Sequence, residues 1–292
     1  MDFWFKGIFE HILVEVSLDE RNKAGMQMGW TGMSACQPRI SCLMVTKKRA
    51  QLANRSIDLY CRQTWSNKEL VIITDDDSND VQALNDYISE LGRSDIALHR
   101  VVGKYSLGQL RNKSIQLAIG EIICQWDDDD LNHPLRLEAQ ANHMIEQGAD
   151  ASFMYDQLHY LADSGELFWT DWSAQGGIPG TLMCRRSTGV SYPESGEHAI
   201  RGEDEFLRVE LRRRFKVDAL RFKGYLYTYV FHGRNTWDRA HHEYIVRNLG
   251  FSNSFITEQA ITLGTFLRQY FPDCPTLICC KDGSTVPLGM DV

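Results

Sequence analysis

Four consecutive aspartates, Asp127 to Asp130, follow the apolar run Ile122-Ile-Cys-Gln-Trp126 and precede Leu131-Asn-His-Pro134. Oxygen donors at this density suit a hard divalent cation, and Mg²⁺ characteristically takes one or two carboxylates together with substrate phosphates. In an extended segment Asp127 and Asp129 project to the same side, which makes them a D-x-D pair able to grip a metal–diphosphate. The alternative is a solvated acidic turn before a helix opening at Pro134, where carboxylates favour the helix amino terminus. A second acidic stretch, Asp75, Asp76, Asp77 and Asp80, follows Glu69-Leu-Val-Ile-Ile-Thr74. A carboxylate at such a place can accept hydrogen bonds from a ribose or a base, or merely close an Asx-turn. A third sits at Gly202-Glu203-Asp204-Glu205-Phe206, ahead of a basic amphipathic run. It reads either as a general base beside an acceptor hydroxyl or as a helix start whose acids pair with Arg208. Two further side chains stand out. Arg111 lies in a predicted helix, where an arginine is commonly exposed. His232 ends an aromatic run and is either a half-buried structural histidine or a third metal ligand.

These residues need a scaffold that brings strand ends together. Ile40 to Thr46, Glu69 to Thr74, Ile96 to Val102 and Ile122 to Trp126 read as buried strands. Between them Arg49 to Trp65, a run over Val81, Leu84, Ile88 and Leu91, and a run from Leu107 closed by Gly120 read as helices. That alternation predicts an α/β fold with a mostly parallel sheet flanked by helices, whose strand carboxyl ends carry the ligand. Beyond Ala149 the pattern changes. Ala151–Ala162, Glu166–Trp172, Thr181–Arg185, Val217–Phe222 and Tyr225–His232 predict strands of a mixed sheet, and residues 251–271 one amphipathic helix stopped by Pro272. The expected divisions are an amphipathic N-terminal extension (1–37), a parallel-sheet half (38–150), a mixed-sheet half (151–240) and a C-terminal helical tail (241–292). The last twenty residues carry no readable chemistry. Trp169, Trp172 and the Gly176-Gly177 pair could form an aromatic wall with a flexible edge, of the kind that packs on sugars, although core packing is the commoner fate of a tryptophan.

The 292 residues carry a formal charge of −8, with 43% hydrophobic and 24% charged residues. That composition is globular, and its acidity argues against a nucleic-acid partner held on a general basic surface. The eight cysteines include no Cys-x-x-Cys pair, and several lie in strand-like apolar runs. They behave as free thiols in a reducing cytoplasm. No run approaches the ~18 apolar residues of a membrane span, and no basic region followed by an apolar stretch marks a secretory signal. Trp4, Phe5, Ile8, Phe9, Ile12, Leu13 and Val16 repeat at helical spacing. Residues 3–16 are therefore a candidate contact with a subunit or, peripherally, with the inner face of the membrane. The acids flanking them disfavour anionic lipid.

Taken in order, these stretches resemble the inverting, metal-dependent glycosyltransferases of family 2, with the GT-A fold. Pro38 to Thr46 is similar to the family's opening strand. Leu70-Val-Ile-Ile-Thr-Asp-Asp-Asp-Ser-Asn-Asp80 resembles V-D-D-G-S-x-D, with Asp77 in place of the usual glycine. Leu110-Arg-Asn-Lys-Ser-Ile-Gln-Leu-Ala-Ile-Gly120 resembles A-R-N-x-G-x-x-x-A-x-G, with Leu110 and Ser114 as departures. Asp127 to Pro134 resembles D-x-D-D-x-x-x-P, and Gly202-Glu-Asp204 the acidic pair that supplies the base. The resemblance covers about residues 38–240, and implies that 38–150 is the nucleotide-sugar-binding half and 151–240 the acceptor-binding and catalytic half. It implies that Thr46, Asp75, Asp76, Arg111, Asp127 and Asp128 bind the nucleotide-sugar, that Asp129 and His232 hold Mn²⁺ or Mg²⁺, and that Asp204, with Glu203 beside it, is catalytic. It also implies a nucleoside-diphosphate sugar as donor, uridine first with guanosine and thymidine open, and a sugar, lipid-linked or protein hydroxyl as acceptor. The setting it implies is bacterial surface polysaccharide or glycoconjugate synthesis. No Q-x-x-R-W pattern of processive members is found, which favours a single addition. The rivals are a sugar nucleotidyltransferase and an inactive nucleotide-sugar-binding module. The first should show a glycine-rich loop after its first strand, where this chain has Lys47-Lys48-Arg49.

Overall fold

A computed structural model describes residues 37–289. The amphipathic run at 3–16 lies outside the described residues. In chain order the elements are β1 (Ile40–Val45), α1 (Ala50–Cys61), β2 (Lys68–Thr74), α2 (Asn79–Leu91), β3 (Ile96–Arg100), α3 (Leu107–Leu117), β4 (Ile122–Gln125), β5 (Leu131–Asn132), α4 (Arg136–Glu146), β6 (Ala151–Met154), β7 (Asp156–Leu161), β8 (Glu166–Asp171), β9 (Met183–Arg185), α5 (Glu203–Arg214), β10 (Val217–Leu220), β11 (Tyr227–Phe231), α6 (Arg239–Leu249), α7 (Asn253–Leu267), β12 (Leu277–Cys279) and β13 (Thr285–Pro287).

The larger sheet has the order β10-β6-β9-β4-β1-β2-β3. β1 to β4 run parallel, and β9 is antiparallel to both β4 and β6. Ile40, Cys42, Met44, Leu70, Ile72, Ile122 and Cys124 of its central strands are fully buried. Helices on both faces explain why these segments read as unbroken apolar runs rather than alternating ones. The helices begin where their caps allow. Ser78 caps α2, and Ser106 with Gln109 forms a capping box at α3, each such cap contributing about 1 kcal/mol. Gly120 turns the chain from α3 into β4, and a Cβ there would stand 2.6 Å from Ser41 Oγ and 2.7 Å from Arg39 O. Tight turns of this kind deliver the strand carboxyl ends to one edge of the sheet.

The smaller sheet, β13-β12-β8-β7-β11-β5, lies in the second half of the chain apart from β5. Two expectations are corrected here. The single strand expected over Ala151–Ala162 breaks at Tyr155: β6 completes the large sheet and β7 joins the small one. Two helices, α6 and α7, occupy the tail where one was expected, because the polar stretch from Arg239 hides a buried face of His242, Ile245 and Val246. In the last residues β12 and β13 pair as an antiparallel hairpin on β8. The large sheet draws strands from both sides of residue 150. Among the described residues no helix is long and apolar enough to cross a membrane.

Candidate active site

β4 stops at Gln125, so the four aspartates lie in a bend rather than in an extended strand. The premise that Asp127 and Asp129 simply alternate is thereby corrected. Each carboxylate faces its own partners. Asp127 accepts from Arg111 Nη2 at 3.0 Å and from Gln125 Nε2 at 2.8 Å. Asp128 is buried and accepts from Thr46 Oγ1 at 2.6 Å and Arg49 Nη1 at 3.3 Å. Its burial, and after that the charge of Asp129, pushes its carboxyl up to about 7. Asp129 meets Arg49 Nη1 at 2.8 Å and His232 Nε2 at 3.0 Å. Burial works to raise Asp129, but the His232 hydrogen bond and Arg49 outweigh it and hold the group below its ordinary value. Asp130 is buried against the Tyr227 hydroxyl and Val230 N. Burial first, then the charge of Asp129, lifts it well above the carboxylate range. Arg55 Nη2 adds a hydrogen bond to the Asp129 carbonyl at 2.6 Å. Three arginines and a lifted Asp130 thus make four adjacent acids tolerable.

Arg111 is the joint between Asp127 and α5. It is 8% exposed, not the exposed helical arginine expected from its setting. Its Nε donates to Glu203 Oε1 at 2.9 Å while Nη2 reaches Asp127. Burial lowers the guanidinium, yet Asp127 and Glu203 raise it further, so it stays charged. Gly202, at φ 77°, turns the chain into α5 in a left-handed conformation that favours glycine. Glu203 then points inward to Arg111, and Asp204 follows, partly exposed. Burial, and next the charge of Glu203, pushes the Asp204 carboxyl up to about 7, while Arg111 pulls the other way. The segment leading to Gly202 is bolted to α3. Asn112 donates to Tyr192 O and accepts from Tyr192 N, and a Cβ at Gly108 would lie 2.0 Å from Pro193 O. Tyr192 OH in turn reaches Gln125 Oε1 at 3.1 Å, which aims the Gln125 amide at Asp127.

The end of β2 is arranged differently. Asp76 accepts from Lys48 N, Ser78 N and Ser78 Oγ. Those hydrogen bonds hold it below its ordinary value although burial works against them. Asp75 pairs with Lys47 Nζ at 2.8 Å and accepts from Tyr105 N. It too lies below its ordinary value, burial being outweighed by these partners. Thr46 with Asp128, after β1 and β4, and Asp75 with Lys47, after β2 and β1, thus lie along the same carboxyl edge of the large sheet.

Asp129 and His232 are the side chains that could hold a divalent cation. Among the described residues no group of three or more His, Cys, Asp or Glu is arranged to do so alone. A carboxylate and an imidazole 3.0 Å apart fit Mn²⁺ or Mg²⁺ when diphosphate oxygens complete the shell. Sequence reasoning missed Arg49, Gln125 and Tyr192. The one signal was the Lys47-Lys48-Arg49 cluster at a strand end, the place where counter-charge for the acids was required. Trp169 is core: it is 2% exposed, donates to Asp156 at 2.8 Å and packs edge-on against Phe251 and Phe255. Trp172 is half-buried, and Gly176 lies under Arg212, which donates to its carbonyl at 2.6 Å.

The model of glycosyl transferase family 2 matches residues 41–186, half of the chain. The putative colanic acid biosynthesis glycosyl transferase WcaA of Escherichia coli K12 is 37% identical over 119 residues, 40% of this chain and 42% of the relative. The Escherichia coli UDP-Glc:alpha-D-GlcNAc-diphosphoundecaprenol beta-1,3-glucosyltransferase WfgD is 30% identical over 124 residues, 42% of this chain and 46% of the relative. The matched stretch thus spans less than half the length of these curated relatives. Among solved structures, S. aureus TarS 1-349 in complex with UDP-GlcNAc superposes with a TM-score of 0.55 at 14% identity over 80% of this chain and 73% of that one. The mannosyltransferase PcManGT from Pyrobaculum calidifontis, in complex with GDP-Man and Mn²⁺, gives 0.53 at 12% identity over 82% and 74%. The sheet order and its flanking helices are those of the GT-A fold. On the match across residues 41–186, the chain belongs to glycosyl transferase family 2.

Proposed function

We propose that the chain transfers a glycosyl group from a nucleoside-diphosphate sugar, UDP-linked in the first instance, to a hydroxyl acceptor with inversion at the anomeric carbon. The observation that carries this reading is the joint at Arg111. It ties Asp127 to Glu203, whose neighbour Asp204 is partly exposed and pushed up to about 7. Thr46, Asp75, Asp76 and Asp128 shape the nucleotide cleft. Arg111 and Asp127 face the sugar end, and Glu203 acts by holding Arg111. The bond between the anomeric carbon and the diphosphate oxygen breaks as one from the acceptor oxygen forms. Asp204 takes the acceptor's proton, a contribution of typically 10²–10⁴-fold. Mn²⁺ or Mg²⁺ held by Asp129 and His232 would supply Lewis-acid stabilisation of the departing diphosphate. Arg49, within reach of the same Asp129 oxygen, adds positive charge there.

WfgD is named for glucosyl transfer onto a diphosphoundecaprenol-linked sugar. A lipid-linked sugar is accordingly the first acceptor class to try, ahead of free sugars and protein hydroxyls, and bacterial surface polysaccharide synthesis the setting. Such an acceptor would bring the protein to the inner face of the membrane. Calorimetric titration of UDP with Mn²⁺ and then with EDTA tests the reading. Metal-dependent binding that weakens at least tenfold in Asp129→Ala is expected. Failure to bind UDP, GDP or dTDP under either condition overturns it.

A further inference from the structure

The turn Pro179-Gly180-Thr181 crosses directly over Asp127. A Cβ built on Gly180 would stand 3.2 Å from the Tyr227 hydroxyl, 3.5 Å from Asp127 Oδ2 and 3.8 Å from Gln125 Nε2. Three polar atoms therefore converge on a place where this chain has no side chain. The turn cannot easily retreat. Thr181 Oγ1 donates to Ile178 O at 2.7 Å and accepts from Met154 N at 2.9 Å, and Gln140 Nε2 donates to Thr181 O at 2.7 Å. Gln125 N donates to Leu182 O at 2.9 Å, tying the far side of the turn to β4. Gly180 carries no left-handed φ, so its backbone would accept another residue. What a side chain would cost is the space beside Asp127.

That space has a chemical meaning on the donor reading of the previous section, on which this inference rests. During transfer the sugar's anomeric carbon is bonded on one side to the diphosphate and approached on the other by the acceptor oxygen. The ring must therefore lie between the Asp129–His232 side and Asp204. Asp127 lies there, because Asp127 and Glu203, the neighbour of Asp204, share the Arg111 guanidinium. Arg111 holds Asp127 Oδ1, and Oδ2, which also takes the Gln125 amide, is the oxygen beside Gly180.

We propose that Gly180 is a specificity-determining residue whose missing side chain makes room for the hydroxyl-bearing edge of the donor's sugar ring against Asp127. The nucleotide-binding residues of that reading, Thr46, Asp75 and Asp76 after β1 and β2 and Asp128 beyond Asp127, supply none of the three atoms nearest a Gly180 Cβ. Gly180→Ala should therefore leave UDP binding nearly intact and weaken binding of the sugar-nucleotide.

The test is calorimetric titration, with Mn²⁺, of wild type and Gly180→Ala with UDP, UDP-Glc, UDP-Gal and UDP-GlcNAc. The melting temperature is recorded for each protein. The expected result is UDP affinity within about twofold of wild type and a loss of about tenfold or more for the best UDP-sugar, the worth of one hydrogen bond to a carboxylate. An unchanged ratio of UDP-sugar to UDP affinity overturns the inference, as does an equal loss of both. Wild-type protein that binds none of the four ligands defeats the UDP-donor reading itself, and the inference falls with it. Wild-type protein that binds UDP but no UDP-sugar overturns the sugar subsite alone.

Discussion

Two strands of one parallel sheet, β2 and β4, both end in runs of aspartate, yet the two ends are built on opposite principles. After β2, Asp76 spends its oxygens on backbone and hydroxyl donors from Lys48 and Ser78, and Asp75 on Lys47 and Tyr105. Most of these donors lie within about thirty residues in the chain, and they hold both acids below their ordinary values despite burial. After β4, the partners come from the turn between β1 and α1, from α1 and α3, and from β11 with His232 just beyond it, and the acids diverge: Asp129 held down, Asp128 and Asp130 pushed up. A carboxylate satisfied by its own turn shapes a cleft. Asp129, held down by Arg49 and His232 from distant parts of the chain, keeps charge that a ligand can compete for.

The largest expected effect lies on the second kind of site. Asp204→Asn should retain UDP affinity and lose about 10²–10⁴-fold in transfer rate. Rate assays on UDP-sugars with a lipid-linked acceptor measure it, and full activity would remove Asp204 as the base. The same group sets a pH dependence. A base must be ionised, and burial together with Glu203 raises Asp204 to about 7. The wild-type kcat/KM should therefore climb from pH 6 to 8, with its midpoint near that value. Arg111→Ala comes next. It strips a buried cation from Asp127 and Glu203 at once, which typically costs about 3–5 kcal/mol. Urea unfolding should show this as a lowered midpoint, with Arg111→Lys recovering only part because one ammonium cannot reproduce the fork. Equal midpoints for wild type and Arg111→Ala would mean the joint is not structural.

The contrast between the strand ends also explains what was legible beforehand. β1, β2 and β4 announce themselves because strands buried on both faces must be apolar throughout. Ser78, Ser106 with Gln109, and Gly120 mark the turns between them by local chemistry. The Asx-turn at Asp76 was readable as an alternative for the same reason, its partners being two residues away or nearby. The β4 end was readable in composition only. Thr46 lies 82 residues from Asp128, Arg111 lies 92 from Glu203, and His232 lies 103 from Asp129. No pattern of period two or 3.6 encodes such a pairing. The break at Tyr155 was hidden similarly, since both halves of Ala151–Ala162 are apolar enough for a strand and nothing local says which sheet each joins. Residues that only orient, such as Gln125 and Tyr192, carry no chemical signature of their own.

The smallest effect sharpens the comparison because its sign differs at the two ends. Asp76 is held below its ordinary value in the fold, so the unfolded chain binds more protons in the acid range. Its contribution is present above about pH 4 and lost as pH falls through the lower folded value. Asp130 is raised well above its ordinary value, so the folded chain binds the extra proton. Its share is complete below about pH 4 and declines as pH rises towards the folded value. Asp76→Asn replaces an acceptor of three hydrogen bonds by a group whose amide must oppose at least one of the three donors. It should cost about 1–3 kcal/mol at pH 7, with the difference from wild type shrinking towards pH 3. Asp130→Asn keeps a neutral group in a place that favours one, so its difference from wild type should shift in favour of the variant as pH rises from 4 to 7. Urea unfolding of the metal-free protein at unit steps between pH 3 and pH 8 measures both. Slopes of the same sign for the two variants would show that the strand ends do not differ in the way their hydrogen bonds require.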